Sequence, residues 1–103
     1  MAFNGTEGEF ITLAEGGAMT KAWREGECGP ANAVFFGREK LMAILDQADC
    51  MGIRMYFGEN EDKEKTLVLV GASADEDDQV EGKILDRGHP CPTKCGNSNS
   101  LNS

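Results

Sequence analysis

Leu41-Met-Ala-Ile-Leu-Asp-Gln-Ala-Asp-Cys-Met-Gly-Ile-Arg-Met-Tyr-Phe-Gly58 changes its periodicity partway along, from that of a helix to that of a strand. From Arg38 to Ala48 the residues Leu41, Ile44, Leu45 and Ala48 fall at i, i+3, i+4 and i+7, the spacing of one apolar helix face. From Ile53 to Phe57 the pattern alternates: Ile53, Met55 and Phe57 share one face, Arg54 and Tyr56 the other, which is the period of a half-buried strand. The expected unit is a helix over 38–48, a tight turn over 49–52 carrying Cys50 and Gly52, and a strand over 53–57.

Working outward, Thr66-Leu-Val-Leu-Val70 is a second apolar run, separated from the first by Gly58-Glu-Asn-Glu-Asp-Lys-Glu-Lys65, which is too polar to bury. The two runs pair most simply as an antiparallel hairpin. An isolated hairpin is rarely stable in water, so helices on one face and a third strand near Gly82 to Asp86 are expected to support it. Upstream, Thr12-Leu-Ala-Glu15 has the form of a capping box, which predicts a helix from Leu13 to about Glu25. Gly16-Gly17 is its weak point, each Gly costing roughly 0.5–1 kcal/mol against Ala, and the small face of Gly17, Ala18 and Ala22 suits close approach of another element. Cys28 to Asn32 reads as a turn and Ala33-Val-Phe-Phe36 as an extended link, with Phe35 or Phe36 in the core. Residues 1–9 read as a flexible N-terminus anchored only by Phe3, and residues 97–103 as a flexible polar tail. The expected fold is therefore one α+β domain over 10–96, two helices packed on a small antiparallel sheet around a central β-hairpin.

The chain has 103 residues and a formal net charge of −8. Residues 59–87 hold ten carboxylates and four Lys or Arg, so −6 of that charge lies there. Such a balance argues against nucleic acid, whose phosphates need a basic face, and against an anionic membrane surface. No apolar run approaches the roughly 20 residues that span a bilayer, and the N-terminus lacks the features of a signal peptide, so a cytoplasmic protein is expected, with export by a signal-independent route as the other option. Ser73-Ala-Asp-Glu-Asp-Asp-Gln79 places Asp75, Asp77 and Gln79 like the first ligands of a calcium loop, but Val80 stands where the sharp turn needs Gly, and an EF-hand fails.

Four cysteines and one histidine are the residues that could carry chemistry. Cys91-Pro-Thr-Lys-Cys95 has a spacing used by zinc knuckles, and Cys50 and His89 could complete a tetrahedral Cys3His zinc site. The same residues allow a disulfide, between Cys91 and Cys95 or from either to Cys50, or free thiols. Redox catalysis has less support, because the pair is not C-x-x-C and no helix follows it. His89, between Gly88 and Pro90, has no nucleophile elbow beside it, and the glycines form no nucleotide-binding pattern. Arg54 and Tyr56, neighbours on the outer strand face, are the better recognition candidates, able to hold a carboxylate or an extended peptide.

Thr20-Lys-Ala-Trp-Arg24, Phe35-Phe-Gly-Arg38, Ile44-Leu-Asp-Gln47, Cys50-Met-Gly-Ile-Arg-Met-Tyr56, Leu67-Val-Leu-Val-Gly71 and Cys91-Pro-Thr-Lys-Cys95 together resemble a family of small Bacteroidetes proteins with no assigned activity. The chain departs from that pattern at Thr93, where relatives carry a second Pro, and at Trp23, where they carry Tyr. The resemblance implies that Cys50, Gly52, Arg54, Tyr56, Cys91 and Cys95 belong to one shared design. With no complete catalytic set, the expected function is a non-enzymatic binding or accessory module for a protein or peptide partner, monomeric by default and without a cofactor. The alternative is a cysteine-based site of Cys50, Cys91 and Cys95, holding zinc or redox-active.

Overall fold

The computed structural model describes residues 2–26 and 33–102, so the turn expected over Cys28 to Asn32 lies outside the described residues. The fold is α+β. Its elements are α1 (Leu13–Glu25), β1 (Ala33–Phe35), α2 (Arg38–Leu45), β2 (Cys50–Glu59), β3 (Lys65–Ser73), β4 (Ile84–Leu85) and β5 (His89–Cys91). They fall into two compact units, Met1–Gly8 with Phe36–Gly88 and Glu9–Phe35 with His89–Ser103.

The first unit is built on the expected hairpin. β2 and β3 pair antiparallel, with Arg54 opposite Val70, Met55 opposite Leu69 and Phe57 opposite Leu67, and β4 adds to β3 through Leu69–Leu85 and Val70–Ile84. The strand order is β2-β3-β4, which leaves β2 at an edge. Asn60 closes the hairpin, its Oδ1 accepting from the Asp62 and Glu64 amides at 2.9 and 3.0 Å, while Lys63 takes the left-handed conformation at φ 67°. α2 packs on β2 and β3, and Ile44 and Leu69, each 1% exposed, are the most deeply buried large side chains. Val70 and Ala72 complete the unit's buried apolar core.

Two boundaries in this unit differ from expectation. α2 stops at Leu45 rather than Ala48, because the Gln47 amide and the Gln47 Nε2 both turn back onto the Ile44 carbonyl, at 3.3 and 2.9 Å, and the Ala48 carbonyl is taken by Gln79 Nε2 at 2.9 Å. Two local bonds and one tertiary bond thus replace the last helical turn. Cys50 and Gly52 lie in β2 and not in a turn: the chain reverses at 46–49, with Asp49 at φ 64°, and the register shifts between Cys50 and Gly52 as at a β-bulge.

The second unit contains α1, the β1–β5 pair and the C-terminal turn. The capping box forms as expected, the Thr12 Oγ1 accepting from the Glu15 amide at 3.1 Å and the Thr12 amide donating to Glu15 Oε1 at 3.4 Å. Only Gly17 of the expected small face is buried; Ala18 and Ala22 are exposed. A Cβ at Gly17 would lie 2.9 Å from both the Cβ and the carbonyl oxygen of Ser100, so this glycine is where the C-terminal turn meets the helix. That turn, expected as a loose tail, is folded back, with the Leu101 carbonyl accepting from Arg24 Nη1 at 2.6 Å. The 33–36 link is extended as expected but pairs with a strand that local pattern did not show: Ala33, Val34 and Phe35 lie opposite Cys91, Pro90 and His89. Phe35 is 66% exposed and Phe36 half-buried, so neither is a fully buried core residue.

Candidate functional site

Arg54 and Tyr56 share a face of β2 because residues two apart on a strand point the same way. What joins them is a residue from the acidic loop. After β3 the chain turns tightly at Ser73–Asp77, with Glu76 at φ 70°, and runs back beside β3: the Ser73 amide donates to the Asp77 carbonyl, Ala72 bridges Asp78, and the Gln79 amide donates to the Gly71 carbonyl. This puts Asp78 on the far side of β3 from β2. Its carboxylate reaches across that strand, accepting from Arg54 Nη1 at 2.6 Å through one oxygen and from the Tyr56 hydroxyl through the other. Arg54 Nη1 also donates to the Glu76 carbonyl at 3.1 Å, so the guanidinium anchors the loop at two points. Val70, opposite Arg54 on β3, is buried.

The three groups tune one another. The Tyr56 hydrogen bond first, and then Arg54, hold the Asp78 carboxyl below its ordinary pKa against the opposing effect of burial. The same hydrogen bond to Asp78 raises the Tyr56 phenol, and the Asp78 partner raises Arg54. Arg54 therefore stays a cation held in one orientation. A guanidinium has five N–H donors, and among the described residues the two bonds to Asp78 and Glu76 both come from Nη1, which leaves Nε and Nη2 unclaimed.

Arg54 also lines a half-open depression of about 320 Å³, together with Phe3, Gly5, Glu7, Met51, Gly52, Ile53 and Ala72. The N-terminal segment forms one wall. It is tied down by the Phe3 amide donating to the Ala74 carbonyl at 2.9 Å and by the guanidinium lying 5.4 Å from the centre of the Phe3 ring, a cation–π contact. The Glu7 carboxylate accepts from the Asn4 and Gly5 amides at 2.8 and 2.9 Å, and the Asn4 amide leads the causes that lower its pKa. The depression thus has apolar walls, one oriented cation and one anion. Phe3, Glu7 and Asp78 were not legible as site residues; the only signal was a strand-borne Arg next to ten nearby carboxylates, any of which could have been its partner.

Of the arrangements expected of the cysteines, one is present. A disulfide joins Cys91 to Cys95, so neither offers a thiolate to zinc. Cys50 is free, half-buried in the other unit, and its thiol donates to the Gly52 carbonyl at 3.2 Å. His89 is exposed in β5 opposite Phe35. Among the described residues no three His, Cys, Asp or Glu side chains converge as metal ligands, and no helix is long and apolar enough to cross a membrane.

Comparison with known proteins adds no relative: no family model, no curated protein and no solved structure matches the chain.

Proposed function

We propose that the protein is a non-enzymatic binding module that takes a carboxylate-bearing segment of a protein or peptide partner at Arg54. The observation that carries this reading is the division of labour on the guanidinium: Nη1 is spent on Asp78 and Glu76, while Nε and Nη2 remain for a ligand beside an apolar-lined depression. A cation already oriented by the fold loses little freedom on binding, which favours affinity. Tyr56 acts in this scheme as a positioning residue, since its hydroxyl proton is committed to Asp78. The acidic loop serves as the clamp that orients Arg54, and Asp78 is not itself offered to a partner.

The test uses short unstructured peptides ending in a free carboxylate and the same peptides amidated, titrated by calorimetry and by amide chemical shifts. Free-acid peptides should perturb residues 3–7 and 51–54, and amidation should weaken them. Hydrogen bonds to a charged group are worth about 1.5–3 kcal/mol, so Arg54→Gln should weaken binding by about one to two orders of magnitude. Equal binding of acid and amide, or full binding by Arg54→Gln, would sink the proposal.

A further inference from the structure

β2 continues past the depression, which takes in Ile53 and Arg54, to an uncovered stretch at Met55 and Phe57. β2 runs for ten residues and would extend about 33 Å at strand rise, whereas α2 has eight residues and covers about 12 Å. A helix of that length cannot cover the apolar face of the whole strand. The consequence is visible in Met55, 56% exposed, and Phe57, 93% exposed, on the same face as the buried Leu69. β2 is also an edge strand, and among the described residues the backbone of 53–57 makes no main-chain hydrogen bond other than those to β3. Edge strands in natural proteins are usually protected by Pro, Lys, bulges or covering loops. The bulge here lies at Cys50–Gly52, where Gly5 of the N-terminal segment also approaches the Met51 carbonyl, so protection ends before Ile53.

We infer that residues 53–57 are a self-association edge, on which a second copy of the chain adds its own β2 antiparallel, across a two-fold axis at Met55. The strand is complementary to a second copy of itself in one register. With the axis at Met55, Ile53 faces Phe57 of the second copy, Met55 faces Met55, and Arg54 faces Tyr56, next to the Asp78 carboxylate that the phenol holds. Apolar residues meet apolar residues on one face, and a cation meets an aromatic ring beside an anion on the other. No like charges oppose each other, which would be destabilising in a strand pair. Moving the axis to Arg54 sets guanidinium against guanidinium, and moving it to Tyr56 sets Ile53 against Glu59. The contact is small, below the roughly 1,200 Å² of standard interfaces, so the dimer forms weakly and reversibly. Both copies carry a charge of −8, so screening by salt should strengthen it.

Sedimentation velocity on the full chain from about 10 µM to about 1 mM, at low and high salt, reads this directly. The expected result is a monomer–dimer equilibrium that shifts toward dimer with salt. Phe57→Lys makes the chain less acidic yet should weaken the dimer more than about tenfold, because the lysine replaces an apolar cross-strand contact at an edge. In a chain with Cys28 and Cys50 changed to Ser, Met55→Cys should form a covalent dimer on mild oxidation, and Glu59→Cys should not. A monomer at every concentration without cross-linking at position 55, or a dimer untouched by Phe57→Lys, overturns the inference. So does a chain that stays monomeric while an extended peptide occupies the edge. Arg54 belongs to both surfaces, and the two are told apart by Phe57→Lys, which should weaken the dimer while leaving the preference for free-acid over amidated peptide intact.

Discussion

Asp78 accepts from two side chains at once, so its protonation is where pH acts on the site. Its folded pKa lies below the unfolded value, chiefly through Tyr56 and then Arg54. Its stabilising contribution is therefore complete above the unfolded value, near pH 4, and is lost as pH falls through the lowered folded value. Tyr56 moves the other way: its phenol is raised from 10.0, mainly by the bond to Asp78. The contribution of that bond is complete below pH 10 and fades as pH climbs through the raised value. Because Tyr56 is the only tyrosine, ultraviolet titration reports it alone. The expected midpoint lies above 10.0, and Asp78→Ala should bring it down; an unmoved midpoint would mean that the phenol does not depend on Asp78. Gly71 and Gly52 differ in the room around them. A Cβ on Gly71 would come within 2.5 Å of Gln79 Oε1 and 2.9 Å of Cys50 Sγ, whereas one on Gly52 meets nothing within 4 Å. The crowding atoms end side chains that can shift, but Gln79 is held by its bond to the Ala48 carbonyl, so Gly71→Ala should cost about 1 kcal/mol, visible as a fall in melting temperature that Gly52→Ala does not share. Equal melting of the two variants would contradict this packing.

Among the elements, α1 depends on its cap more than a helix of its length usually would. It carries Gly16 and Gly17 in its first half and buries only Gly17, so packing adds little to offset the cost of two glycines. Thr12→Ala removes the reciprocal pair with Glu15 and should cost about 1 kcal/mol. The loss should appear as faster amide exchange over residues 13–17 and lower helical circular dichroism, and unchanged exchange there would argue against the cap. α1 and the β2–β3 hairpin were both legible in the chain, because capping, helical period and strand alternation involve residues within four positions of each other. The end of α2 was not. Ala48 continues the apolar pattern of the helix, yet its carbonyl is captured by Gln79, 31 residues away. β1 and β5 leave no local trace of their pairing: each is three residues long, too short for a periodic signal.

For the molecule as a whole, charge distribution has two consequences. The carboxylates over 59–87 are mostly solvated, yet one of them, Asp78, orders a loop and orients the cation of the candidate site. The remaining negative charge sets the sign of the salt effect on self-association. Local pattern along the chain establishes the α+β class, the capped start of α1, the core of α2, the central hairpin with its polar loop, and Arg54 with Tyr56 on one face. Tertiary structure alone decided that Asp78 holds that pair, that Phe3 and Glu7 wall the depression, and that Cys91 bonds Cys95 while Cys50 stays free. Periodicity reports which side of an element is apolar, and it does so from neighbouring residues. It cannot choose one carboxylate from ten or one thiol from several: that choice is made by strand register, here the bridge between Ala72 and Asp78 that carries the carboxylate across β3 to Arg54.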